Sequence, residues 1–244
     1  MEINANVDFL YVKKPTEIVD NESQLTAIRS INREQIEMQS KMKRLLEPYT
    51  QKYDIRIKCK FAYGNVKNEI KDYLNLTNPD IVIIGKKNVS PFKFKNDGVT
   101  DFILNTFEGP VLIAPKTSNL DPEKELSIGI LNDHNNNNKL SVIEELGSRS
   151  ANPLKSFTII NESNRNYTLD LVNEINHTEF VFEKNDNVLS SVSNYIDKSK
   201  VNLLCLDRSN NSKIAKAQLL SSKEIISKIN VPLLFGGKSG FGLS

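Results

Sequence analysis

The chain has 244 residues, 32 Lys+Arg against 30 Asp+Glu, and a formal net charge of +2. That balance gives no electrostatic footprint for general nucleic-acid binding. No apolar run reaches the roughly 18–20 positions of a membrane helix, and residues 1–4 carry no basic-then-apolar signal pattern.

Residues 7–12 are an apolar run stopped by Lys13-Lys14-Pro15 and are expected as a strand. Residues 25–50 follow as a helix. Ile31, Met38, Met42, Leu45 and Tyr49 form its apolar face, and Glu37, Lys41, Lys43 and Arg44 lie opposite, so it packs on a core and not in a membrane. Ile55, Ile57, Cys59 and Phe61 alternate along a second strand, 55–61. A helix opens near Asn65 and carries Val66, Ile70, Tyr73 and Leu74. Asn78-Pro79-Asp80 breaks the chain before 81–84, which is apolar on both faces, as in a strand covered by helices on each side. After the loop 85–98 come a helix over 99–107 and a strand over 111–114. The polar segment 117–124 is the expected linker. The second half then places strands at 126–131, 156–160, 178–182, 201–206 and 233–235. They alternate with helices at 140–149, 169–175, 188–198 and 215–229. Such alternation defines an α/β fold with a parallel, flavodoxin-like sheet and helices on both faces.

The two halves are copies of one another. Val66 aligns with Val188, Ile70 with Val192, Tyr73 with Tyr195 and Leu74 with Ile196. The same ungapped offset carries Ile81-Val82-Ile83-Ile84 onto Leu203-Leu204-Cys205-Leu206 and Pro110-Val111-Leu112 onto Pro232-Leu233-Leu234. The repeat is too long for a solenoid, so each copy is a domain. The expected domains are 1–116 and 125–244. Their starts differ, because 7–12 matches 155–160 and not 126–131. The first copy therefore lacks an opening strand and helix: either residue 1 lies inside a longer natural chain, or the first sheet has a four-stranded core.

Chemistry concentrates in the loop after Ile84, at the carboxyl end of a buried strand, where ligands sit in open α/β sheets. It offers Gly85, Lys86, Lys87 and Asn88, then Gly98, Val99 and Thr100 at the next helix start. Glycine admits close approach of phosphate oxygens, and a helix start supplies free N–H groups. Lys86, Lys87, Lys93 and Lys95 add positive charge; a basic solvated loop is the plainer alternative. His134 and His177 lack a nucleophilic partner motif and are read as surface residues. The two cysteines fit a reducing cytosol. Cys59 and Cys205 are read as small buried hydrophobes, and Tyr73 and Tyr195 as core-edge residues.

These segments resemble the universal stress protein family. Residues 7–12 look like its second strand, Gly64 with the following helix and Asp80–Gly85 like its third helix and fourth strand, and Gly109-Pro110-Val111-Leu112-Ile113 like its fifth. The resemblance implies two tandem domains and a cytoplasmic, non-catalytic stress-response role. It also implies an ATP or related adenine-nucleotide site in the first domain. Gly85 stands at the family's first loop glycine, Asn88 replaces the second and Gly98 matches the third. Val99 stands where Ser or Thr is expected, followed by Thr100. Val12 falls where the family's base pocket uses the end of the second strand. In the second domain Asp207 and Leu220 occupy the positions of Gly85 and Gly98, which implies no nucleotide there. The family's pairing through last strands implies an intramolecular pseudo-dimer, with 111–114 antiparallel to 233–235, and leaves room for a homo-oligomer. A pure interaction module and a weak ATP hydrolase are the alternatives.

Overall fold

The computed structural model describes residues 6–14, 24–86, 98–117, 120, 124–131, 150, 152–160, 177–208 and 221–238. The chain divides into two compact units, residues 1–78 and 79–244. The repeat units 1–116 and 125–244 are a different partition from these compact units, whose boundary lies between Asn78 and Pro79.

The first unit contains β1 (Asn6–Lys13), α1 (Gln24–Tyr53), β2 (Arg56–Tyr63) and α2 (Val66–Thr77). β1 and β2 are parallel, with Val7 opposite Ile57 and Val12 opposite Ala62. Asn65 starts α2 by accepting from the N–H groups of Lys67 and Asn68, and Asn78 ends it in the left-handed region at φ 41°. α1 is fastened through Lys13, 2.6 Å from Glu34, and through the Tyr63 hydroxyl, which donates to the Ile31 carbonyl at 3.3 Å. Tyr73 does more than edge a core: its hydroxyl donates to Asp8 at 2.9 Å and ties α2 to β1.

None of the described residues of this unit is buried. Two strands and two helices do not enclose a core. The helix face also differs from expectation. Leu45 and Tyr49 are 55% and 56% exposed, while Ile31, Met38, Met42 and Leu46 are the half-buried apolar residues. Steps of four from Met38 lead through Met42 to Leu46, one position beyond Leu45. Cys59, expected buried, is exposed. Its strand face, with Ile57 and Phe61, lines a groove of about 430 Å³ beneath Gln39, Lys43 and Leu46 of α1.

The second unit contains β3 (Val82–Gly85), α3 (Val99–Thr106), β4 (Val111–Ala114), β5 (Ile128–Leu131), β6 (Leu154–Ile160) and β7 (His177–Glu183). It continues with α4 (Val188–Lys198), β8 (Leu203–Leu206), α5 (Ser222–Lys228) and β9 (Leu233–Phe235). The helices expected at 140–149 and 169–175 and the start of that at 215–229 lie outside the described residues. One seven-stranded sheet runs β3-β4-β9-β8-β5-β6-β7. Counted within the second copy alone, its five strands follow the flavodoxin-like order 3-2-1-4-5 and are all parallel. β4 joins β9 antiparallel, with Val111 opposite Phe235 and Ile113 opposite Leu233.

β5 explains why the two copies differ. Its four residues are all buried, and it pairs with β6 on one side and β8 on the other. The first copy has no described strand in that position. β1–β2 and β3–β4 are consequently separate parallel pairs, and the second pair is carried by the larger sheet. The core of the unit is built on Phe157, Ile128, Ile159, Leu204, Leu233 and Ile196. Tyr195 closes one end: its ring lies 5.6 Å from that of Phe180 and 5.4 Å from that of Phe182. Burial of such apolar surface, at about 25 cal/mol per Å², is the dominant stabilising term.

Candidate functional site

β3 ends at Gly85, which is registered with Ala114 of β4. A Cβ built on Gly85 would meet nothing within 4 Å, so its backbone is open to approach. α3 begins at Gly98, whose φ of 64° and ψ of 16° are left-handed. Glycine adopts this conformation without the Cβ penalty. Gly98 provides no side-chain cap; its carbonyl accepts from Phe102 N–H at 3.0 Å and closes the first turn. Val99 and Thr100 occupy that turn, at the positive end of the helix dipole. Asp101 adds a carboxylate to the same turn and lies 2.9 Å from Lys223.

The β-strand-to-helix crossover sets Gly85 and the start of α3 at the same end of the sheet, the carboxyl end of β3. Asn88 lies outside the described residues, as do Lys87, Lys93, Lys95 and Leu220. Val12 belongs to the first unit, half-buried near the end of β1.

Lys86 is not a free loop cation. Its backbone N–H donates to the Ala114 carbonyl at 2.7 Å, and its Nζ donates to the Ile229 carbonyl at 3.0 Å and to Asn230 Oδ1 at 3.2 Å. Ile229 is the residue that ends α5, so the ammonium sits at the negative end of a helix. Burial there pushes the Lys86 ammonium below the usual lysine range.

The second copy answers in kind. Arg208 stands where Lys86 stands in the first copy, and its NH2 donates to the carbonyls of Phe107, Glu108 and Gly109 at 2.8, 3.2 and 2.6 Å. Phe107 ends α3. Each copy therefore sends a cation from the end of its fourth strand to the carboxyl end of the other copy's last helix. Lys238 adds a third link, 2.7 Å from the Glu108 carboxylate. Burial lowers the Arg208 guanidinium and Glu108 opposes that shift; its Nε and NH1 are buried without partners. Reading the loop alone missed this seam, although the repeat offset had put two basic residues at equivalent strand ends.

No group of three or more His, Cys, Asp or Glu among the described residues could hold a metal ion. No described helix is long and apolar enough to cross a membrane.

No protein-family model and no curated protein matches the chain. Solved structures do match. A universal stress protein from Archaeoglobus fulgidus superposes with a TM-score of 0.67 at 12% identity, covering 96% of this chain and 88% of that one. A second protein assigned to the universal stress class, from Pseudomonas aeruginosa UCBPP-PA14, gives 0.54 at 12% identity, covering 95% and 93%. A protein of unknown function from Pseudomonas aeruginosa PAO1 gives 0.54 at 11% identity, covering 96% and 83%. The fold is that of the universal stress proteins, with parallel-dominated α/β sheets.

Proposed function

We propose that the chain is a cytoplasmic, non-catalytic stress-response protein that binds ATP or a related adenine nucleotide weakly through the first copy, at Gly85, Gly98 and the first turn of α3. The observation that carries this reading is the left-handed Gly98 at the start of the helix that follows β3, within a fold shared with universal stress proteins over nearly the whole chain. Backbone N–H groups of Gly98 and Thr100 would hold phosphate oxygens, with the helix dipole adding attraction. Asp101 in the first turn and the diversion of Lys86 to Ile229 both weaken an anion site, which is why the affinity is low. The second copy is read as carrying no nucleotide, since Asp207 places a carboxylate at the loop start.

In this reading the β4–β9 join makes an intramolecular pseudo-dimer, and the reciprocal Lys86 and Arg208 contacts hold it. Titrating the full chain with a fluorescent ATP analogue tests the proposal. Saturable binding should be lost in Gly98→Val and kept in Asp207→Ala. Absence of binding to the parent chain would favour the interaction-module reading, to which the occupied Lys86 also points. Phosphate release from bound ATP would make the protein a weak hydrolase instead.

A further inference from the structure

We propose that Lys86 is a shared cation: without ligand its ammonium joins the two copies, and a polyphosphate at the Gly85–Gly98 loop draws it away, so that ligand binding and this half of the seam oppose each other. The proposal rests on the nucleotide reading above and adds its regulation. β4 and β9 run antiparallel, with Ile113, late in β4, opposite Leu233, the first residue of β9. The carboxyl end of the β3–β4 pair therefore meets the segment that leads from α5 into β9. Ligands of open α/β sheets sit beyond that same end of the strands. Lys86 stands there, next to Gly85, with its Nζ on the Ile229 carbonyl at 3.0 Å and on Asn230 Oδ1 at 3.2 Å. Its backbone N–H is fixed to the Ala114 carbonyl, so only the side chain has to change partners.

The two halves of the seam are built differently. Arg208 puts NH2 on three carbonyls and has Nε and NH1 buried. Lys86 is half-buried and has two acceptors, one of them on the exposed Asn230. Burial lowers both cations, but at Arg208 the Glu108 carboxylate opposes the shift, and no described carboxylate does so at Lys86. The seam therefore holds the Lys86 charge less firmly than the Arg208 charge.

Residue types follow the same division. Lysine carries a compact charge on a flexible stem and binds phosphate as a point charge, whereas the planar arginine fork is pre-organised for fixed acceptors. The lysine belongs to the copy with Gly85 and Gly98, and the arginine to the copy with Asp207 and Leu220 at those positions. A ligand shifts an equilibrium only by its differential affinity for the two states. Here the difference is one ammonium, held by neutral carbonyl oxygens in one state and by phosphate anions in the other. By linkage, whatever weakens the Asn230 contact strengthens ligand binding, and the ligand weakens that contact by the same factor.

The test measures the affinity of full-chain variants for the fluorescent ATP analogue. Asn230→Ala removes one acceptor and should tighten binding about two- to tenfold, the worth of one hydrogen bond. Asn230→Asp grips the ammonium and should weaken binding. In a Lys86→Met background, where affinity is lower, both Asn230 substitutions should lose their effect, which separates release of Lys86 from plain repulsion by the new carboxylate. Lys238→Met cuts the neighbouring link to Glu108 and leaves the acceptors of Lys86 in place, so affinity should hold. The proposal is overturned if Asn230→Ala fails to tighten binding, or if the Asn230 effects persist without Lys86. It is equally overturned if Lys238→Met tightens binding as much as Asn230→Ala, which would make general loosening of the seam the cause. Binding that is lost in Gly98→Val yet indifferent to Asn230 overturns this proposal alone. Absence of binding in both the parent and Asn230→Ala overturns the nucleotide reading with it.

Discussion

Replacing Gly129 by alanine adds one methyl group at the most crowded point of β5. The new Cβ would lie 2.9 Å from Phe157 Cε2, 3.0 Å from Leu204 Cδ1 and 3.1 Å from Val201 Cγ1. Comfortable carbon–carbon separation is about 3.5–4.0 Å, so three neighbours must each retreat by roughly half an ångström. They have nowhere to go. Phe157 and Leu204 are fully buried, and the Phe157 ring is stacked 5.3 Å from that of Phe180. Overpacking of this kind costs about 1–3 kcal/mol, offset by about 0.4–1 kcal/mol from the reduced freedom of the unfolded chain. The expected net loss is about 1–2 kcal/mol, or about 2–8 °C in Tm at this size. Gly85→Ala is the internal control: nothing lies within 4 Å of its Cβ, so stability should hold or rise slightly. Urea unfolding followed by circular dichroism, a suitable probe for a chain without tryptophan, reads both. An unchanged midpoint for Gly129→Ala, or an equal loss in both variants, would refute the claim that β5 is the tightly packed centre of the sheet.

Ser221→Ala should cost about 1 kcal/mol, measured by the same unfolding curves, because Ser221 Oγ accepts from Glu224 N–H at 3.3 Å and the Glu224 carboxylate answers Ser221 N–H at 2.8 Å. The Ser221 N–H first, and then the Ser221 hydroxyl, which donates to the Glu224 carboxylate at 2.7 Å, hold the Glu224 carboxyl below its ordinary range. Its contribution is thus complete above the unfolded carboxylate range and disappears as pH falls through the folded value, and the variant should show less of this acid-side loss. A disulfide reagent at pH 8 should titrate only the exposed Cys59 in the native chain and both thiols in urea; burial pushes the Cys205 thiol up to about 12. Because the unfolded thiol titrates near 9.0, Cys205 should also make stability decline as pH rises from about 9 toward 12. Gly98→Ala should cost about 1–2 kcal/mol through its left-handed backbone, with Val99→Ala as the neutral comparison on the same curves.

The strand order of the second copy was legible because β5, β6, β8 and β9 are short apolar runs separated by more polar segments, and the repeat offset supplied a second reading of β8 and β9. That 7–12 does not match 126–131 was legible too, and the first copy has no described strand at the β5 position. Its consequence was harder to see. The first unit has no buried residue among those described, so Cys59, Leu45 and Tyr49, which pattern alone assigns to a core, stand exposed. Amphipathic spacing reports which residues seek burial, not whether a surface exists to cover them. At the site, the turn glycine Gly98 could be read from its type and place before a helix. The use of Lys86 could not, since its partners Ile229 and Asn230 lie more than 140 positions away in the chain. Only the join of β4 to β9 brings them together.

The most direct test of the functional reading is the response of individual backbone amides to ATP, followed as ¹H–¹⁵N signals of the full chain. The account predicts that Gly98, Val99 and Thr100 shift progressively and saturate together, while Leu206 and Asp207 stay in place. Signals that move first at Asp207, or that leave Gly98, Val99 and Thr100 unmoved at saturating ATP, would contradict it.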